Sequence, residues 1–323
     1  MIENPLVEFG FQEIYLIPNK CIALSRDDCD PSVVFGGMRF KNGCIAANMR
    51  SVVDEKTCRF FAKSGLFYIM HRFDVDNYEF VKKMHDDGLF ASISIGVNGD
   101  TESQLIRMKK DQIFPEYITI DIANAYAVRA EKTVGLVKEI FPKSFLIVGN
   151  CATPEAVADL EKWGADCVKV GISNGHVCET YMATGFSRPQ FSTVLECSHV
   201  AKKPIISDGA IRVIGDVSKA FVAGATMVMA GSLFAGFSES AGEIIEIEGK
   251  RYKQYFGSAS YNNTRSKKNV EGKCILVPYK GEMQKLLWDI DDGLRSAISY
   301  AGGIDMSAFN NVKWGVRMGG VRT

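Results

Sequence analysis

Cys178 is the residue best placed to do chemistry in this chain. It follows an apolar run, Cys167 to Ile172, that gives way to a short loop carrying Gly171 and Gly175. Glycine lets a backbone turn tightly and approach a ligand closely. A thiol on such a loop, at the carboxyl end of a buried strand, can act as a nucleophile. The plainer reading is a buried thiol that packs as a small hydrophobe. Thr180 lies two residues on; a threonine hydroxyl is a poor base unaided but can relay a proton or position water. Capping is its alternative role. His176 could pair with the thiol as imidazolium or face solvent, and the solvent-facing reading is preferred.

A second group of polar residues falls at the ends of other apolar runs. These are Asn48, Asp121, Asp208-Gly209-Ala210 and Gly231-Ser232. In a barrel, the loops after the last two strands often bind phosphate through backbone N–H groups. A helix N-terminus beyond them favours the negative charge. Asp208 could accept hydrogen bonds from ribose hydroxyls, or cap a turn. For Asn48 and Asp121 the alternative is hydrogen bonding within the rim.

The elements that must position these groups repeat regularly. Apolar runs occur at Cys44–Met49, Phe67–Met70, Phe90–Gly96, Tyr117–Ala123, Phe145–Asn150, Cys167–Ile172, Pro204–Gly209 and Thr226–Gly231, with successive starts 22–37 residues apart. That is the chain needed for a strand, a helix and two loops. Helix-like stretches lie between them at Ala125–Phe141, Ile214–Ala223 and Met283–Tyr300, and Thr153-Pro154 reads as an N-cap followed by proline at the first helical position. Uniformly apolar strands alternating with amphipathic helices imply a parallel sheet covered on its outer face. Eight such units predict an α/β fold of the TIM (β/α)8 type, one domain over residues 1–323. Between the eighth run and its helix, an insert at about 236–282 contains a hairpin signal around Glu248-Gly249 and a polar stretch, Tyr261–Lys273. It is read as a flap over the barrel mouth.

Composition excludes several classes. The 38 basic and 38 acidic side chains balance, so no electrostatic footprint for nucleic acid or anionic membrane is expected. No apolar run approaches the ~18 residues of a membrane span, and the N-terminus does not read as a signal peptide. Nine cysteines without a C-x-x-C pair suggest reduced, cytoplasmic usage. The four histidines lack metal-ligand spacing.

Several blocks, in order, carry a family likeness. Among them are Ala46-Ala47-Asn48-Met49, Tyr68-Ile69-Met70-His71-Arg72-Phe73, Lys169-Val170-Gly171-Ile172 through Cys178, Ser207-Asp208-Gly209, Gly231-Ser232-Leu233-Phe234-Ala235 and Asn269-Val270-Glu271-Gly272-Lys273. With these the chain resembles the GMP reductase and IMP dehydrogenase family, and within it the short bacterial GMP reductases. The resemblance implies a homotetrameric barrel and an NADPH-dependent oxidoreductase that converts GMP to IMP through a thioimidate on Cys178, assisted by Thr180. It places Asn48, Asp208, Gly209, Ala210, Gly231 and Ser232 on the purine mononucleotide. It places Asp121, Ala123 and Asn124 on the cofactor, and a monovalent cation such as K+ at Ser173, Gly175 and Cys178. Only Arg72 to Asn77 separate the second run from its helix, so the regulatory CBS domain of the dehydrogenases is not expected. Departures from the family pattern are Ser173-Asn174 in the cysteine loop, Tyr181 after the threonine, Ala210 after Gly209, and Asn124-Ala125-Tyr126. The flap glutamate that family members pair with the threonine aligns with Ser266 on this reading. Those departures keep open two alternatives: the same chemistry on another purine nucleotide, deoxy or base-modified, and a non-catalytic nucleotide-binding protein.

Overall fold

The computed structural model describes residues 6–98, 100–261 and 271–317. Seven parallel strands form one curved wall in the order Cys44–Ala46, Met227–Ala230, Ile205–Asp208, Cys167–Val170, Phe145–Cys151, Tyr117–Asp121, Ser92–Ile95. The two ends of this order, Cys44–Ala46 and Ser92–Ile95, flank the Phe67–Met70 run. That run was expected as a strand, and here the structure corrects the expectation. Its one backbone bond to the wall runs from Met70 N–H to the Ser92 carbonyl, 3.0 Å. The physical reason is Tyr68. Its hydroxyl donates to the Phe90 carbonyl at 2.7 Å and accepts from Ser92 N–H at 3.3 Å, taking the groups a ladder would use. Ser94 Oγ donates to the Met70 carbonyl at 2.6 Å. Side chains thus do the work of a ladder, and the eight segments make an α/β barrel of the TIM type. Counted in chain order with this run second, the wall segments are called first to eighth below.

Alternation along each strand separates two cores. Ile45, Phe67, Ile69, Ile147, Ile206 and Met227 belong to the inner one, whereas Cys44, Tyr68, Ile93, Ile118, Val168 and Val228 belong to the outer one with the helices. Both faces are therefore apolar, which is why the runs read as continuous rather than alternating. A hairpin, Val33–Phe35 and Met38–Phe40, packs Phe35 and Phe40 against the inner core. Tyr117 donates its hydroxyl to the Phe35 carbonyl, 2.7 Å, and the Phe35 and Phe67 rings pack edge to face at 5.1 Å. Gly36 makes this plug possible: its φ is 57°, and a Cβ there would stand 2.4 Å from the Tyr117 ring.

Helices begin where capping chemistry allows. Thr153 Oγ accepts from Ala156 N–H at 3.2 Å with Pro154 in the first turn, as expected. Val128–Ile140 starts later than the helical spacing suggests, because Asn124 Oδ1 accepts from Tyr126 N–H at 3.1 Å and turns the preceding residues. The insert after the eighth strand forms a three-stranded antiparallel sheet from Ile244–Ile247, Lys250–Phe256 and Cys274–Pro278. Glu248 and Gly249 form its hairpin turn at φ 50° and 72°, as their sequence predicts. Lys253 pins the base: its buried ammonium donates to the carbonyls of Phe237 at 2.8 Å, Ser238 at 3.3 Å, and Ser240.

Candidate active site

A cleft of ≈ 600 Å³ opens at the carboxyl ends of the wall strands. Asn48, Asp121, Ala123, Cys178, Thr180, Asp208 and Gly209 line it, as do Ser173 and Gly175. Four sequence-expected residues, Asn124, Ala210, Gly231 and Ser232, do not line it. Ala210 is held beside it by its N–H, which donates to the Asn174 carbonyl at 2.9 Å. Gly231 lies under Tyr255, whose hydroxyl would be 2.4 Å from an added Cβ. Ser232 Oγ donates to the Ile211 carbonyl at 3.5 Å. A larger groove, ≈ 770 Å³, lies along the Ile14–Leu16 strand. No cysteine or histidine lines it, whereas Cys178 lines the smaller cleft.

The geometry around the thiol is a relay. Cys178 Sγ donates to Thr180 Oγ1 at 3.2 Å, and Thr180 Oγ1 donates to Glu271 Oε2 at 2.7 Å. Backbone bonds hold both ends. Cys178 N–H closes a turn on the Gly175 carbonyl, 3.1 Å, and Glu179 N–H donates to the Glu271 carbonyl, 2.7 Å. Glu271 N–H donates to Ala259 and Lys273 N–H to Val177, both at 3.0 Å. The flap is therefore stitched across the cysteine loop at the point where its carboxylate meets the threonine.

This corrects the expected place of the acid. Ser266 lies outside the described residues, and the carboxylate facing Thr180 is Glu271. Its signal was available, since Glu271 is the sole acidic residue between Glu248 and Glu282. Among the other cysteines, burial raises the thiols of Cys44 and Cys197 to about 12 and pushes Cys58, Cys151 and Cys167 well up, which keeps them protonated and unreactive. Cys178 is only partly buried. His176 is exposed, the reading preferred from sequence.

The cleft floor is charged. Lys169 points inward from the sixth strand, one inward position above Cys167, and is 2% exposed. Its ammonium donates to Asp121 Oδ1 at 3.0 Å, to Asp208 Oδ2 at 2.9 Å, and to Asn150 Oδ1. Asn150 in turn donates to Asp208 Oδ2 at 2.9 Å and to the Gly171 carbonyl at 2.6 Å. Burial alone would raise the Asp121 carboxyl, but Lys169 and Arg72 outweigh it and hold it low. The ammonium, which burial would discharge, is held protonated by the two carboxylates. Lys169 and Asn150 were missed from sequence, although a lysine inside Cys167–Val170 is an anomaly in a strand buried at every position.

The altered cysteine loop is held by the very residues that depart from the family pattern. Ser173 adopts φ 65° and accepts from Tyr181 N–H through its hydroxyl at 2.8 Å. Asn174 Nδ2 donates to Gln190 Oε1 at 2.6 Å and to the Arg188 carbonyl at 2.9 Å. Gly171, at φ 145°, has no room for a Cβ, which would lie 2.1 Å from the Asp208 carbonyl oxygen. Among the described residues there is no group of three or more His, Cys, Asp or Glu side chains able to hold a metal ion, and no helix is long and apolar enough to cross a membrane.

Comparison with known proteins places the chain in a family. The model of the IMP dehydrogenase / GMP reductase domain matches residues 8–319. The GMP reductase of Chromobacterium violaceum is 52% identical over 306 residues, 95% of this chain and 97% of that protein. The GMP reductase of Lactococcus lactis subsp. cremoris is 48% identical over 309 residues, 95% of this chain and 94% of its own. That of Acidovorax ebreus is 48% identical over 314 residues, covering 97% and 96%. On this likeness across nearly its whole length, the chain belongs to the IMP dehydrogenase / GMP reductase family.

Proposed function

We propose that this protein is an oxidoreductase that reduces and deaminates GMP to IMP, with NADPH as the hydride source. The observation that carries the reading is the Cys178–Thr180–Glu271 relay. A shift of two protons along it leaves a thiolate at Cys178 and a protonated Glu271. The thiolate adds to C2 of the purine. The proton stored on Glu271 returns through Thr180 to the exocyclic amine, which leaves as ammonia, and a thioimidate remains on Cys178. Bound NADPH supplies the hydride that replaces sulfur at C2. The released thiolate is then reprotonated, so the cycle consumes one further proton. The relay thus serves first as base and then as acid, which needs a carboxylate and a hydroxyl in series.

The remaining residues bind and orient. Asp208 accepts from the ribose hydroxyls, and Asn48 lies on the same rim. Gly209 at φ 95° and Ala210 at φ 61° turn the backbone after the seventh strand toward the helix Ile214–Val222, a suitable place for phosphate, with Gly231 and Ser232 beside it. The cofactor fits the Asp121–Ala123 side with Asn124 beside it. There Asp121 lies in the cleft and Arg72 Nε is fixed on the Asp121 carbonyl at 2.9 Å. The carbonyls of Ser173, Gly175 and Cys178 would hold a monovalent cation such as K+ in the same reading, and no step is routed through it. A homotetramer and a cytoplasmic location are part of the same reading.

The test is loss of reduced cofactor when the protein is mixed with NADPH and GMP, with dGMP and base-modified purine nucleotides in parallel. Consumption with GMP, abolished in Cys178→Ala while GMP still raises the melting temperature, is the expected result. Turnover retained by Cys178→Ala would remove the thiol from the reaction. Consumption only with another nucleotide would transfer the chemistry to that substrate.

A further inference from the structure

The reading above uses Asp208 and Asp121 on opposite sides of the cleft and gives Lys169 no part. Yet among the described residues Lys169 is the one side chain bonded to both. Asp121 ends the fourth strand, Asp208 the seventh, and Lys169 rises between them from the sixth. With contacts of 3.0 and 2.9 Å, one ammonium spans the two carboxylates directly. Asn150, from the fifth strand, closes the set by accepting from Lys169 and donating to Asp208. A lysine so buried is costly unless its partners are fixed in place, and here each stands on a wall strand.

We propose that Lys169 is a positioning residue that ties Asp121 and Asp208 into one frame, so that the ribose of the nucleotide and the nicotinamide end of the cofactor are aligned through a single shared cation. The proposal rests on the proposed function for the identity of the two ligands; the frame itself does not. Without the ammonium, two carboxylates would face each other across a buried floor, where like charges cannot both stay ionised. The groups around the frame are few. Arg72 approaches Asp121 from the loop after the second segment, and Asn48 bonds its carboxylate from the first. Tyr255 reaches Asp208's side from the flap, and its hydroxyl is held protonated by burial. Cys151 and Cys167 flank Lys169 as protonated thiols. Arg72 is the one other cation in the set, and it serves Asp121 alone.

Lys169→Met keeps the length of the side chain and removes its charge. In the ligand-free protein, the variant's melting temperature relative to the wild type's, both carrying His71, is expected to fall as pH rises from about 6 to about 8, because a shared proton is lost from the carboxylate pair. A difference between the two proteins that does not change with pH overturns the frame, whatever the substrate is. With GMP as the probe, the variant should bind about tenfold more weakly at pH 6 than at pH 8, against less than twofold for the wild type. Equal pH dependence in the two proteins overturns the shared alignment. Failure of GMP to bind the wild type, with the ligand-free profile as expected, would instead refute the substrate reading and leave the frame standing. If Lys169→Met does not fold, the double variant Lys169→Met/Asp121→Asn removes one charge of each sign. It should fold and lose the pH dependence, with KM for NADPH raised and GMP affinity largely recovered. A double variant that also fails to fold would overturn the proposal in favour of Lys169 as a packing residue alone.

Discussion

Replacing Glu271 with Gln separates the relay's chemistry from its geometry. The backbone on both sides of Glu271 is bonded to Ala259 and Glu179, so the side chain stays in place, and the amide oxygen still accepts from Thr180. What is lost is the ability to take and return a proton. The Thr180–Glu271 contact of 2.7 Å is a hydrogen bond to a charged group, whose weakening alone costs about 1–2 kcal/mol. Removal of a positioned acid–base group lowers rates by about 10²–10⁴, or about 3–5 kcal/mol of barrier. The second effect dominates, so kcat for GMP should fall by that range while KM changes by no more than about threefold. Steady-state NADPH oxidation at saturating GMP reads kcat, and a GMP titration reads KM. A kcat within tenfold of wild type would refute the relay, as would a loss carried wholly by KM. Ser266→Glu serves as the control and should restore nothing to the Gln variant.

Two other perturbations test how the structure supports this site. Lys253→Met leaves the carbonyls of Ser238 and Ser240 without their buried donor, while that of Phe237 keeps its bonds from Ser240, at a cost of about 1–3 kcal/mol. The expected result is faster limited proteolysis within the insert and a higher KM for GMP; unchanged cleavage would show that the flap is anchored elsewhere. His71 is a pH probe. Burial, with help from Arg50, lowers its pKa from 6.5 to about 4. Below pH 6.5 the unfolded chain takes up a proton that the folded chain refuses. Stability is therefore full above that pH and drains away as pH falls toward 4, by about 3 kcal/mol at most. Comparing melting temperatures at pH 7.5 and pH 5 for wild type and His71→Gln should show the smaller drop in the variant. Equal drops would mean His71 is protonated in the fold.

The barrel was legible because its strands are buried on both faces and their spacing leaves room for one helix each. The second segment was legible as buried chain but not as unladdered chain, since that depends on where the Tyr68 hydroxyl goes. Cys178 and Thr180 were legible as neighbours on a glycine-bearing loop. Glu271 was not placed, because it meets Thr180 from 91 residues away. The polar stretch before it offers no apolar rhythm to fix an alignment. Lys169 shows the converse: its oddity was visible in Val-Lys-Val, but its meaning required carboxylates from two other strands. The Ser173-Asn174 departure, one of those that kept other functions open, carries hydrogen bonds of its own to Tyr181, Gln190 and Arg188.

The unladdered second segment sets two unlike staves opposite one another. In a closed ring of eight, the stave facing the second is the sixth, which carries Lys169 and leads into the Cys178 loop, and it is hydrogen-bonded along both edges. On the facing side, the second segment meets its neighbour through one backbone bond and three hydroxyl bonds. The sulfur is thus carried on from a stave whose place is set by backbone bonds on both edges and not by the rotation of a hydroxyl.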